Sequence, residues 1–126
     1  MAYDPNETDR SYLFGCLLAI ADKAESEAYS KEDRGVRVTN AKRYWNSFSQ
    51  RPYQTWQTIE EHLKPYMARL QKSQIKYEKW INEIMGKMTS AGFTNNSRLE
   101  PLYLLGYHHF TDFMYNTNNL EKREEN

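Results

Sequence analysis

The sequence predicts an all-α fold, an antiparallel helical bundle of four main helices plus a short helical turn. Apolar residues recur at intervals of three and four along four long stretches. No stretch alternates with the period of two that a half-buried strand needs, and the breaks are short and hold Gly, Pro or capping residues. At 126 residues the chain is one domain by size, long enough to bury a core. Residues 1–116 are expected to form that domain and residues 117–126 a polar, disordered tail.

Asp4-Pro5-Asn6-Glu7 reads as the first helix start, with Asp4 as the cap and Pro5 at the first helical position. Leu13, Phe14, Leu17, Leu18, Ala21, Ala24 and Ala28 then mark one apolar face of a helix ending near Ser30. Residues 31–38 contain Gly35 and read as a loop, after which Thr39 or Asn40 caps a short turn through Arg43, Tyr44 and Trp45. Residues 46–51 read as polar and irregular. Pro52 opens the second long helix, marked by Trp56, Ile59, Leu63, Tyr66, Met67 and Leu70, with a kink expected at Pro65. Tyr77, Trp80, Ile81, Ile84, Met85 and Met88 mark a third, expected to end at Gly92 in a left-handed cap. Ser97-Arg98-Leu99-Glu100 has the spacing of a capping box, leading into a last helix through Leu102, Leu105, Tyr107, His109, Phe110, Phe113 and Met114.

Ten Tyr, five Phe and three Trp dominate the apolar set, rings with polar tips that suit shallow cores and binding surfaces alike. The single cysteine, Cys16, excludes an intrachain disulfide and fits a reducing, cytoplasmic compartment. No apolar run approaches the roughly 20 residues of a spanning helix, and the first ten residues lack the pattern of a signal peptide, so no membrane role is expected.

The formal net charge is zero, but its distribution is uneven. Residues 1–30 hold six acids and two bases, residues 31–90 twelve bases and six acids, and residues 91–126 three bases and five acids. A basic middle is thus flanked by acidic ends. From Arg34 to Ile59 the chain carries Arg34, Arg37, Lys42, Arg43 and Arg51 with no acid, interleaved with Tyr44, Trp45, Tyr53 and Trp56. Bases attract phosphates without regard to sequence, and exposed rings can stack on nucleobases, so this stretch is a candidate nucleic-acid contact. The bland reading is a solvated loop whose rings, Trp56 above all, belong to the core. Arg69, Lys72, Lys76 and Lys79 share a second basic face, at spacings of three and four. Such a stripe most often serves solubility alone. Were it to face the same way as the acid-free stretch, the two would form a groove along one strand of backbone. The acidic first helix and the aromatic last helix are the expected surfaces for protein neighbours.

Nothing in the sequence supports catalysis. His108 and His109 point about 100° apart on a helix, and no Cys or paired carboxylate sits beside the histidines at a zinc-like spacing. Cys16 reads as a small buried hydrophobe beside Gly15. There is no glycine-rich phosphate loop. The chain is therefore expected to be a binding protein rather than an enzyme, with no metal and no cofactor.

Two segments resemble a known family. Arg43-Tyr44-Trp45 followed by Ser49 and Pro52 is similar to an Arg-Tyr-aromatic turn and Ser-x-x-Pro helix start in the C-terminal region of the large subunit of type I-C CRISPR Cascade. Leu105-Gly106-Tyr107-His108-His109 resembles that region's closing Leu-Gly-Tyr-x-His. The order of these elements fits across residues 10–115. Arg37 stands where the family's Asn is expected, and Glu100-Pro101 replaces a Gln-Gly-like pair, so residue-level carry-over extends only to Arg43, Tyr44 and His109. The chain is far shorter than a large subunit, and its Met1 stands where that C-terminal region would begin. The resemblance therefore implies the small subunit made separately from the same gene. Such a subunit lines the complex in more than one copy, touches the Cascade backbone and large subunits, and holds target DNA against the guide RNA. The rival reading is a helical adaptor or antagonist with no nucleic-acid role.

Overall fold

Asp9, not Asp4, starts the first helix. Its Oδ1 accepts the backbone N–H of Ser11 at 2.9 Å and of Tyr12 at 3.2 Å, and its carbonyl accepts that of Leu13. The Asp4-Pro5 start expected from the sequence is instead an isolated turn. The Asp4 carboxylate bonds the N–H of Asn6 two residues on, and Glu7 N–H closes onto the Asp4 carbonyl. That is the local turn with which Asp competes against helix. The computed structural model describes residues 3–31 and 38–125, with side chains described for 3–29 and 38–118.

From Asp9 the helix α1 runs Arg10–Lys31. The sequence pattern suggests one apolar face, but residues 11–21 are buried on every side. The cause is position: α1 packs against α7, α4, α5 and α2, so it is the central helix of the bundle. A helix apolar all round is one that belongs inside.

Thr39 caps α2 (Asn40–Arg43), its hydroxyl accepting the N–H of Lys42 at 3.3 Å. Residues 46–51, expected to be irregular, are mostly helical: α3 spans Trp45–Gln50. Phe48 supplies the reason, being fully buried edge-on to Phe14 with centroids 5.8 Å apart. One buried ring anchors a segment whose polar composition hid it. Helix α4 (Pro52–Arg69) has Pro52 in its first turn, buries Trp56, Ile59, Leu63 and Met67, and runs through an exposed Pro65. It turns into α5 (Lys72–Gly86) at Gln71, the one non-glycine residue with positive φ (54°) among those described.

Two further expectations are corrected. The third long helix ends at Gly86, not Gly92; Gly92 lies inside the short α6 (Ser90–Phe93), its N–H donating to the capping Thr89 hydroxyl at 2.9 Å. The Ser97–Glu100 capping box does not form. Ser97 N–H bonds the Asn95 side chain, and Glu100 N–H bonds the buried Ser11 hydroxyl of α1 at 2.9 Å. The entry to α7 (Leu102–Glu125) is thus tied to another helix rather than to itself, and its backbone stays helical through the segment assigned to a polar tail.

The chain directions follow from the contacts. Phe93 lies against both Phe14 of α1 and Tyr53 of α4, and Tyr29 of α1 meets Tyr66 of α4, so α1 and α4 run the same way. Helix α5 runs against α1, since Tyr77 reaches Glu27 and Lys87 reaches Tyr3. The ring around α1 closes where Trp45 lies on Tyr103 and Tyr107, and where Trp80 lies on Phe110 and Phe113.

The tightest crossing is between α1 and α7. A Cβ on Gly15 would stand 2.0 Å from the Tyr103 carbonyl oxygen, and one on Gly106 would stand 2.0 Å from the Tyr12 carbonyl oxygen. Backbone therefore touches backbone there. Above the crossing Arg10 donates to three carbonyls, Gly92 at 2.9 Å, Asn95 at 2.6 Å and Ser97 at 2.7 Å, with its guanidinium 5.4 Å from the Phe14 centroid. It holds the segment between α6 and α7 onto α1.

Candidate nucleic-acid interface

Lys42 and Arg43 stand exposed on the last turn of α2, a helix too short to hold itself in place. Two carboxylates of α1 hold it. Asp22 accepts the Thr39 hydroxyl and, on its other oxygen, the Tyr107 hydroxyl at 2.8 Å. Glu25, only 2% exposed, accepts the Asn40 backbone N–H at 3.0 Å and its side-chain amide at 2.8 Å. Glu27 accepts the Tyr77 hydroxyl at 3.0 Å. These acids of the first helix are thus turned to internal partners.

The remaining expected bases divide between two sides of the ring. Arg51 is exposed between α3 and α4, and Arg69 is exposed on the last turn of α4 with its guanidinium 5.3 Å from the Tyr66 centroid. His62, Tyr66 and Arg69 follow at spacings of four and three, so they share a face of α4. Tyr44 lies against His62 with centroids 6.1 Å apart and planes 20° from parallel, which puts α2 beside that face. Lys42, Arg43, Arg51 and Arg69 therefore lie along one edge about 27 Å long, the length of the 18 residues of α4.

Lys72, Lys76 and Lys79 lie on α5 and belong to another side. Lys76 is half-buried, donating to Asn118 of α7 at 2.7 Å, with the Tyr77 and Trp80 centroids at 5.5 and 5.6 Å. Its charge is engaged in packing. Lys72 and Lys79 are exposed. Among the described residues the stripe and the α2–α4 edge meet at the α4–α5 turn, where Arg69 and Lys72 stand three residues apart. Arg34 and Arg37 lie outside the described residues.

Between α3 and α4 lies an open cleft of about 390 Å3, lined by Tyr44, Ser47, Gln50, Arg51, Gln54, Thr55 and Thr58. Among the described residues no three His, Cys, Asp or Glu converge as metal ligands, and no helix is long and apolar enough to cross a membrane. Cys16 is fully buried, its thiol 3.6 Å from the Gly106 carbonyl, and burial pushes its pKa up from 9.0 to about 12.

The family model for CRISPR-associated protein (Cas_Csd1) matches residues 1–115. The chain belongs to that family. A search of curated proteins found no match. Within this Csd1 chain the two segments that carried the resemblance touch each other. Trp45 meets Tyr107 edge-on at 5.1 Å, Gly106 makes the backbone crossing, and His109 Nδ1 lies 2.9 Å from the Tyr12 hydroxyl. The same hydroxyl accepts the Asp4 N–H at 3.2 Å, so it ties the start of the chain to α1 and α7 together. Of the resembling residues, Gly106, Tyr107 and His109 build the scaffold, and Arg43 faces solvent.

Thr39 caps α2 as one of the two residues expected to, but sequence reasoning missed Asp22 and Glu25 as the residues that place Lys42 and Arg43. The available signal was a carboxylate pair three apart on a helix otherwise lined with Ala and Leu. It also missed His62 as the companion of Tyr44, for which no sequence signal exists.

Proposed function

We propose that this chain is a non-catalytic small subunit of a type I-C CRISPR Cascade surveillance complex. It lines the complex beside the backbone and large subunits and further copies of itself in the cytoplasm. There it stabilises guide-RNA-directed DNA binding and the R-loop. The observation that carries this reading is the α2–α4 edge, where Lys42, Arg43, Arg51 and Arg69 stand exposed in a chain of the Csd1 family. Guide–target pairing is nearly balanced in free energy against the DNA duplex it replaces, so modest protein contacts tip the exchange. Four bases meeting single-strand phosphates would give log affinity a slope of about −2.8 against log salt.

The test is co-expression with the other Cascade subunits and a guide RNA, with and without this chain. Entry into the complex, and a drop in R-loop formation on target DNA when the chain is omitted, support the proposal. Equal assembly and equal DNA opening without it would sink it. A helical adaptor or antagonist is the second reading, favoured by the outer face of α7, where Leu104, Leu105 and Tyr115 are exposed. A partner interface centred on that face and insensitive to salt, with the basic edge left in solvent, would establish it instead.

A further inference from the structure

The cleft between α3 and α4 has the chemistry of a subsite for one unpaired nucleotide. Its lining, apart from one arginine, is hydroxyls, amides and an aromatic ring. Ser47, Thr55 and Thr58 supply hydroxyls, Gln50 and Gln54 supply amides, Arg51 supplies the charge, and Tyr44 supplies a ring at one wall. No carboxylate lines it. Its volume of about 390 Å3 falls within the roughly 300–1,000 Å3 of small-molecule sites.

The neighbourhood has the same sign. Lys42 and Arg43 immediately precede Tyr44 and are exposed. The nearest acids along α4, Glu60 and Glu61, begin two residues past Thr58, and Glu61 is paired with Lys64 at 3.0 Å. Tyr44 is half-buried and His62 exposed, so the nearly parallel ring pair stands at the surface beside the cleft. The site is also rigid: Asp22 and Glu25 hold α2, Phe48 anchors α3, and the Gln54 N–H is bonded to the Asn96 side chain at 2.9 Å. A preorganised cleft loses little on binding.

We propose that this cleft holds one unpaired nucleotide of a single strand, with Arg51 on its phosphate, Gln50, Gln54 and Thr58 on its sugar and base edges, and the base against the Tyr44–His62 rings. Stacking on a ring is open to every base but needs one that is not paired, so the site selects single strands over duplex and ignores sequence. The proposal rests on the small-subunit reading and adds a location to it. DNA and RNA share the required chemistry, and the test separates them.

The experiment uses the assembled complex with guide RNA and target DNA. Photoreactive thiothymidine is placed along the target or the displaced strand, and thiouridine along the guide. A cross-link to the peptides bearing Tyr44 or His62 is expected, and the labelled strand names the source. Thr58→Glu and Gln54→Glu place a carboxylate in the cleft, and Asn82→Glu places the same charge at an exposed position of α5. The cleft variants are expected to weaken that cross-link and strand retention about tenfold, and Asn82→Glu by less than about twofold. Cross-links only to other peptides, or equal losses in all three variants, would overturn the subsite. Loss of R-loop formation on omitting the whole chain would then still stand, so failure of the cleft is distinguishable from failure of the small-subunit reading.

Discussion

Replacing Gly106 by Ala tests the close crossing of α1 and α7. On helix propensity alone the change should stabilise, since Ala is favoured over Gly by about 1 kcal/mol in a helix interior. The crossing predicts the opposite sign. The new Cβ would lie 2.0 Å from the Tyr12 carbonyl oxygen and 2.8 Å from its carbon. Ordinary contact is about 3.5 Å or more, so the two backbones must part by more than an ångström. Both atoms belong to helical backbone, and no side chain can swing aside to relieve the clash. Parting α7 from α1 would also loosen the Cys16, Tyr107 and His109 contacts on either side of the crossing. Overpacking of a well-filled core costs about 1–3 kcal/mol and sometimes more, and a rigid double-backbone clash belongs at the upper end. We expect a net loss of about 3 kcal/mol, a large share of the 5–15 kcal/mol typical of a domain. Urea titration followed by far-UV circular dichroism would read it as a lowered midpoint with little change in slope. Gly86→Ala is the internal control, because a Cβ there meets nothing within 4 Å; it should be neutral or slightly stabilising. If Gly106→Ala proves as stable as the parent, or more so, the crossing as described is wrong.

Arg10→Ala removes three charge-assisted bonds to the carbonyls of Gly92, Asn95 and Ser97, and should cost about 2–3 kcal/mol with faster hydrogen exchange in residues 92–99. Asp22→Asn should cost about 1–2 kcal/mol and, by releasing α2, lower nucleic-acid retention in the complex beyond what stability explains, read by comparing binding with thermal melts. Lys72→Glu with Lys79→Glu should change stability by less than about 0.5 kcal/mol, whereas Lys76→Glu should cost more, because only Lys76 is packed against Trp80 and bonded to Asn118. Stability should also fall at alkaline pH. Burial holds the Cys16 thiol up at about 12 and the Tyr3 phenol at about 12, and burial followed by the Asp22 carboxylate raises Tyr107 as well. The unfolded chain releases these protons first, so it binds fewer than the folded chain and unfolding gains ground from about pH 9 upward. Urea midpoints measured from pH 7 to 11 check the sign.

The long helices were legible because a period near 3.6 survives whatever the core looks like. Trp56, Ile59, Leu63 and Met67 point inward on α4 as their spacing requires, and Pro52 opens it. The boundaries were less legible where a tertiary partner overrode a local signal. Ser97 and Glu100 have the spacing of a capping box, yet Glu100 N–H goes to Ser11, a residue 89 positions away that no local rule can weigh. Asp4 and Pro5 have the composition of a helix start, yet Tyr3 is drawn onto Phe110 and Phe113, and the helix begins five residues later. Helix α3 was hidden because a single buried Phe48 in a polar run has no period to detect. At the candidate site, the identity of the exposed bases was readable from charge alone, but their grouping was not. Which side of α5 carries Lys76 depends on where α7 lies, and the Tyr44–His62 pairing depends on how α2 returns across α4.

A central helix wrapped on all sides imposes an order of events on synthesis. Residues 11–21 leave the ribosome before the helices that cover them and are buried around the whole circumference, yet the backbone they must touch, at Tyr103 and Gly106, is made about 90 residues later. At about 5–20 residues per second that is a wait of roughly 5–18 seconds, during which α1 has no complete partner. Its most demanding contacts are also its longest-range ones, which slows folding after release. The nascent chain is therefore a natural client for a chaperone that binds exposed apolar segments, and yield in a heterologous host should depend on that capacity as much as on the stability of the finished bundle.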